Sequence, residues 1–294
     1  WRDGRLLNLV SVMEQSKSNE IKLLLIYSGF FLLWLIIEFF FGHAILARIV
    51  FSVTFVLILL AEKQWHILKK FLSVKASYHI YLIPVGLEYA ITLIYRAFLN
   101  PANLLTFQTT TEPANQLKNM LRHAIKTFFS VLNEEIIFRF VLLILFLIIL
   151  RMLKVQDIKL KHLISFLFIS ALIFSLGHTT TYIGQATLFT TNKPEFIFFL
   201  ISALVSAVAF GLYFNAVFLK THSLAIVTTI HFLVNVCRWL FSILPLGNMN
   251  AFLISLNIFS LIYFFSALII MRKGFDLEKL GKIFTSIWYP PKSK

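Results

Sequence analysis

Eight apolar runs, most of them close to 20 residues long, divide this 294-residue chain. About 20 apolar residues let a helix cross the hydrocarbon core of a bilayer. Inside lipid a spanning backbone must satisfy its own hydrogen bonds, so only helices and closed barrels are open to it. Barrel strands are only about half as long as these runs. The expected fold is therefore all-α: a polytopic membrane helix bundle of about eight transmembrane helices. The runs lie near 21–41, 44–61, 80–99, 117–150, 163–178, 196–219, 224–244 and 251–271. Composition agrees, since 59% of the residues are hydrophobic and 33 are Phe, where a soluble domain is nearer half apolar.

The net charge of +14 does not point to nucleic acid, because the basic residues cluster between the runs. Lys63, Lys69, Lys70 and Lys75 follow the second run, and Arg151, Lys154, Lys159 and Lys161 follow the fourth. Arg272, Lys273, Lys279, Lys282, Lys292 and Lys294 form a basic tail over 272–294. The connections on the other side are poorer, with Arg48, Lys193 and Arg238 nearly alone in theirs, except that Arg96, Lys118 and Arg122 flank the connection between the third and fourth runs. This alternation is the positive-inside pattern, and it places both termini in the cytoplasm. The expected partner is a lipid bilayer, with no nucleic acid. A single cysteine, Cys237, excludes an internal disulfide and a cysteine-rich metal site. The first 20 residues are mostly polar, so no cleavable signal peptide is expected. The chain reads as one membrane domain over 1–294.

Two connecting segments, within 62–77 and 277–288, carry apolar residues at helical spacing among lysines and are expected to lie in the headgroup plane. The stretch 5–13 is a weaker case of the same kind. The longest polar connection, 100–115, is an expected outer loop that could serve as a lid or substrate entrance.

Within the runs, a few polar groups stand out. Glu134-Glu135 and Arg139 interrupt the fourth run, and charge at mid-membrane costs about 3 kcal/mol per residue on insertion scales. Glu135 and Arg139 are four apart and can pair on one helix face. Glu134 is turned about 100° away, which leaves it without a partner on its own helix and lets it face a different cavity. An unpaired carboxylate there suits a general base. On the fifth run, Phe174 and His178 share a face, with Gly177 beside them to admit a close neighbour. His178 is either a helix-end cap or a catalytic group. On the seventh run, His231 and Asn235 also share a face. They are either an interhelical clamp or a donor pair for an oxyanion. Among the remaining groups, Glu88 reads as a local pair or interface residue, Pro84 and Gly86 as a kink in the third run, and Asn215 and His222 as caps. No zinc-protease His-Glu-x-x-His, aspartyl motif or serine nucleophile elbow is present.

Glu-Glu-x-x-x-Arg, Phe-x-x-x-His and His-x-x-x-Asn, in that order on separate runs, resemble the three motifs of the CPBP (CAAX protease and bacteriocin-processing, or Abi) family. The resemblance covers roughly 117–244. It implies an intramembrane endopeptidase related to the CAAX prenyl protease type 2, with an intramembrane polar cavity. Carried onto this sequence, Glu134 and His178 activate water, and His231 and Asn235 stabilise the oxyanion. Glu135, Arg139 and Phe174 support the site. The resemblance leaves open whether zinc binds at Glu134, His178 and His231 or no metal is used. It implies a hydrophobic or membrane-associated peptide or protein as substrate. The high content of Phe, Ile, Leu, Lys and Asn suggests an AT-rich genome, hence a bacterial cell membrane and a role in peptide-pheromone or bacteriocin processing or self-immunity. The alternative is a non-catalytic scaffold that regulates a membrane-protein partner such as a kinase or cell-wall enzyme.

Overall fold

A computed structural model describes residues 2–37, 40, 45–62, 65–72, 79–99, 113–155, 157–179, 181–184, 193–240 and 249–288. Among these there is no strand. The helices in chain order are α1 (Arg2–Ile36), α2 (Ile45–Ala61), α3 (Trp65–Leu72), α4 (Ile83–Leu99), α5 (Pro113–Glu135), α6 (Leu142–Met152), α7 (Leu160–Gly177), α8 (Lys193–Thr221), α9 (Leu224–Leu240), α10 (Met249–Arg272) and α11 (Leu277–Trp288). A π-helical segment, Ile136–Val141, joins α5 to α6.

Among the described residues, three helices are long and apolar enough to cross a membrane by length and composition: Ser18–Ile36 within α1, α7, and Pro194–Thr221 within α8. Shorter apolar helices lie at Leu46–Ala61, His79–Ile94, Leu224–Val236 and Leu256–Arg272. The outer faces are apolar, with Leu25, Leu46 and Leu176 each about 70% exposed. Patches of that kind on a protein surface mark contact with something other than water, here the lipid that the helix lengths also call for. The chain is thus a membrane helix bundle.

Helix α8 is central, packed against α10 and α7. Its closest approach is at Gly211, where a Cβ would lie 2.9 Å from Ala171 Cα. A small residue there lets the two backbones come together, which is how membrane helices gain packing. Helix α5 packs against α9 and α2, and α1 packs against α6 and the π segment.

The π segment is wholly buried and organises the aromatic core. Phe138 meets Trp34 and Phe174 edge-on, at ring separations of 5.0 and 5.1 Å. Phe140 meets Tyr27, Phe55 and Phe71. Such pairs add about 0.5–1.5 kcal/mol each beyond area burial. The widened turn also changes the hydrogen bonding. Leu142 N–H bonds to Ile137 O, five residues back, and Phe138 O accepts Ser170 Oγ–H from α7 at 2.7 Å. A helix interrupted in this way is a frequent mark of a functional site.

Several expectations change on folding. Helix α3 is not simply a surface helix, because Leu68 and Phe71 are buried and Phe71 packs on Phe140 and Phe218. The stretch 5–13 continues into α1 without a break. Pro84 is the second residue of α4 and starts that helix rather than kinking it. Asn215 lies inside α8, fully buried, where its Nδ2 donates to Leu167 O at 3.0 Å. It clamps two helices instead of capping one. His222 does end α8, in a left-handed conformation with φ 52°. Most of the expected lid at 100–115 lies outside the described residues.

Candidate active site

The fourth apolar run becomes a long rod, α5 through α6, with the π segment beginning directly after Glu135. This places both glutamates at the junction, buried to 8% and 0% exposure. The structure brings them to the same histidine. Glu135 Oε1 lies 2.7 Å from His231 Nδ1, and Glu134 Oε2 lies 3.9 Å from His231 Nε2. The two carboxylates do face apart, since Glu134 is on the wall of the cavity described below and Glu135 is not, but one imidazole spans the turn between them.

The Glu135–Arg139 pair forms, with Oε2 3.1 Å from Nε and both side chains fully buried. The Arg139 guanidinium also sits 5.1 Å from the Phe174 ring centre and 5.7 Å from that of Phe214. Desolvated cation–π contacts contribute up to about 2 kcal/mol. That helps offset the guanidinium nitrogens, which lack hydrogen-bond partners among the described residues. Phe174 thus supports the site in two ways. Its ring faces Arg139, and its carbonyl oxygen lies 2.8 Å from His178 Nδ1.

Glu134 is not isolated, contrary to the sequence expectation. Ser130 Oγ donates to its Oε1 at 3.0 Å, and Arg48 Nη1 lies 3.9 Å from the same oxygen. Its other oxygen, Oε2, is buried and makes no hydrogen bond among the described residues. Oε2 faces His178 Nε2 at 3.6 Å and His231 Nε2 at 3.9 Å.

Hydrogen bonding determines what the histidines present. A carbonyl only accepts, so His178 Nδ1 carries a proton and Nε2 faces Glu134. His231 Nδ1 likewise donates to Glu135. To donate from Nε2 as well, that ring must carry both protons, and carboxylates stand at either side of it. Its face stacks on Phe214 at 4.5 Å and 26°.

These groups line a cavity of about 220 Å³. Its wall includes Ser130, Glu134, Phe174, His178, His231 and Asn235, together with Trp34, Tyr182, Phe210 and Arg238. Asn235 is on the wall one turn beyond His231. Gly177 is also there, but ring edges fill the space beside it: a Cβ would meet Trp34 at 3.2 Å and Phe138 at 3.3 Å.

Of the possible zinc set, His178 Nε2 and His231 Nε2 lie 3.6 and 3.9 Å from Glu134 Oε2. Among the described residues, no group of three or more His, Cys, Asp or Glu could hold a metal ion. Glu135 and the Phe174 carbonyl hold the two rings by Nδ1, which fixes their orientation whether Nε2 meets water or an ion.

Sequence reading misses Arg48 and Ser130. Ser130 is four residues before Glu134, on the same helix face, and that spacing is visible in the chain. Arg48 lies inside an apolar run and reads as one of the charges of a connection. Two further wall residues, Tyr182 and Arg238, carry no motif.

Residues 116–237 match the family model described as type II CAAX prenyl endopeptidase Rce1-like. Neither a curated protein nor a solved structure matches the chain. The matched stretch contains all three motifs and every residue that meets at the cavity except Trp34 and Arg238. The match covers less than half of the chain and supports, at family level, an intramembrane CAAX-type endopeptidase.

Proposed function

We propose that the cavity hydrolyses a peptide bond of a hydrophobic, membrane-associated peptide, with Glu134 as the general base. One observation carries this reading: the buried Oε2 of Glu134, without a hydrogen bond among the described residues, on the cavity wall between two imidazole nitrogens. A water there can donate one hydrogen to Oε2 and the other to His178 Nε2, leaving its lone pair aimed at a carbonyl. As the C–O bond forms, a proton passes to Oε2 of Glu134. The carbonyl becomes an oxyanion, held by Asn235 Nδ2 and His231 Nε2. Collapse breaks the C–N bond, and the proton on Glu134 passes to the leaving amine. General acid–base help of this kind contributes about 10²–10⁴-fold, and preorganised oxyanion donors add to it.

Glu135 and Arg139 hold His231 in place. The distribution of lysine and arginine supports both termini in the cytoplasm of a bacterial cell. Peptide pheromones, bacteriocin precursors and short leader peptides are then the substrates that fit.

The test uses purified full-length protein in lipid nanodiscs with a panel of internally quenched hydrophobic peptides, prenylated CAAX peptides included. Wild type should cleave at least one. Glu134→Gln and His178→Ala should each abolish that cleavage while the protein stays folded. Full cleavage by both variants would refute the mechanism. A chelator such as 1,10-phenanthroline should leave the rate unchanged; a loss that zinc restores would assign the site to a metal instead.

A further inference from the structure

Helix α2 lies outside the stretch that matches the family, yet it reaches the base. Arg48 is 2% exposed, on the inward face of α2. Its Nη1 donates to Ser130 Oγ, and that hydroxyl in turn donates to Glu134 Oε1 at 3.0 Å. The same Nη1 is 3.9 Å from Oε1 directly. The backbone is held as well as the side chain. Asn133 Nδ2 donates to Arg48 O at 3.0 Å, and Ser52 Oγ donates to Asn133 Oδ1. Asn133 immediately precedes Glu134, so two residues of α2 grip α5 at the base itself.

We propose that Arg48 is a positioning residue for hydrolysis, acting through Ser130 to anchor Oε1 of Glu134 so that Oε2 alone is presented to water. This rests on the reading of Glu134 as the base. The two carboxylate oxygens are then not equivalent. One is occupied by a charge-assisted relay, which is a strong form of hydrogen bonding. The other has no donor among the described residues, in the place where a proton must be taken. The Arg48–Ser130 relay fixes the plane of the carboxylate, so that one oxygen is held and the other stays turned to the cavity. The cation also gives Glu134 a counter-charge that comes from neither histidine. The motif region therefore needs the preceding α2 to complete its geometry.

Two readouts test this in the full-length protein. The infrared carboxylate bands of Glu134, isolated as the difference between wild type and Glu134→Gln, need no substrate. They should shift in Arg48→Met and return towards the wild-type position in Arg48→Lys. Unchanged bands in Arg48→Met would overturn the proposal. Cleavage of the quenched peptide gives the second readout. Arg48→Met should lower kcat about 10²-fold, the size expected for a misplacement of about 1 Å, with KM unchanged. A rise in KM at unchanged kcat would refute a role at the base. If Arg48→Met does not fold, Ser130→Ala removes the relay with little change in volume. It should move the same bands and lower kcat, and wild-type behaviour in both would refute the relay. Cleavage retained by Glu134→Gln would instead remove the base reading, while the bands still report whether Arg48 anchors that carboxylate.

Discussion

Two buried carboxylates in this bundle have opposite environments. Glu88 in α4 is 4% exposed and both its oxygens are engaged. Arg238 Nε meets Oε1 at 2.5 Å, and Tyr263 O–H donates to Oε2 at 2.7 Å. Glu134 is 8% exposed and only one of its oxygens is engaged among the described residues. Its second oxygen faces imidazole nitrogens beyond hydrogen-bond distance. Burying a charge is tolerable when it is paired and hydrogen-bonded, and the Glu88 cluster meets that condition across α4, α9 and α10. Glu134 meets it by half. The difference separates a carboxylate that holds helices together from one kept available for a proton.

Substitutions at the two sites should therefore diverge, and the largest divergence is in activity. Glu134→Gln keeps the shape and the Ser130 contact but cannot take a proton. It should cost about 10²–10⁴-fold in kcat/KM with little change in thermal stability, measured by peptide cleavage and differential scanning fluorimetry in nanodiscs. A variant that lost stability but kept its turnover would reverse the comparison.

Glu88→Ala should do the opposite. It leaves Arg238, partly exposed on the cavity wall and 4.1 Å from the Phe210 ring centre, without its anion. Removing one partner of a fully buried pair costs about 3–5 kcal/mol; with Arg238 partly exposed the loss is smaller, and it should appear as a fall in the unfolding midpoint. An unchanged midpoint would mean that Glu88 is no more structural than Glu134. Tyr263→Phe is the gentler form of the same test, since it frees one oxygen of Glu88 and makes that carboxylate resemble Glu134. A hydrogen bond to a charged group contributes about 1.5–3 kcal/mol, so the midpoint should fall less than in Glu88→Ala and the cleavage rate should hold. If cleavage falls with stability unchanged, the Glu88 cluster belongs to the chemistry of the cavity.

Part of this architecture is legible in the sequence. The apolar runs announce a helix bundle because lipid permits few other folds. Glu135 and Arg139 announce their pairing because they are four apart. The spacing of His178 from Phe174, and of Asn235 from His231, places each pair on one helix face. Those are local facts, set by helical geometry.

The partners of Glu134 are not legible there, because they come from elsewhere in the chain. Arg48 is 86 residues away by number and His231 is 97, and no local pattern links them to the glutamate. The π segment is hidden too. An extra residue in a turn leaves no mark in a run that is apolar over 136–150 except at Arg139, yet Phe138 O in that segment meets Ser170. Sequence by itself determined a membrane helix bundle with a few expensive polar groups, because burial and helix periodicity act over short stretches. Only the tertiary structure decided that Glu134 has one anchored and one uncommitted oxygen. That asymmetry depends on which side chains from α2, α7 and α9 arrive within about 4 Å of it, and Coulomb and hydrogen-bond interactions act at that range whatever the separation along the chain.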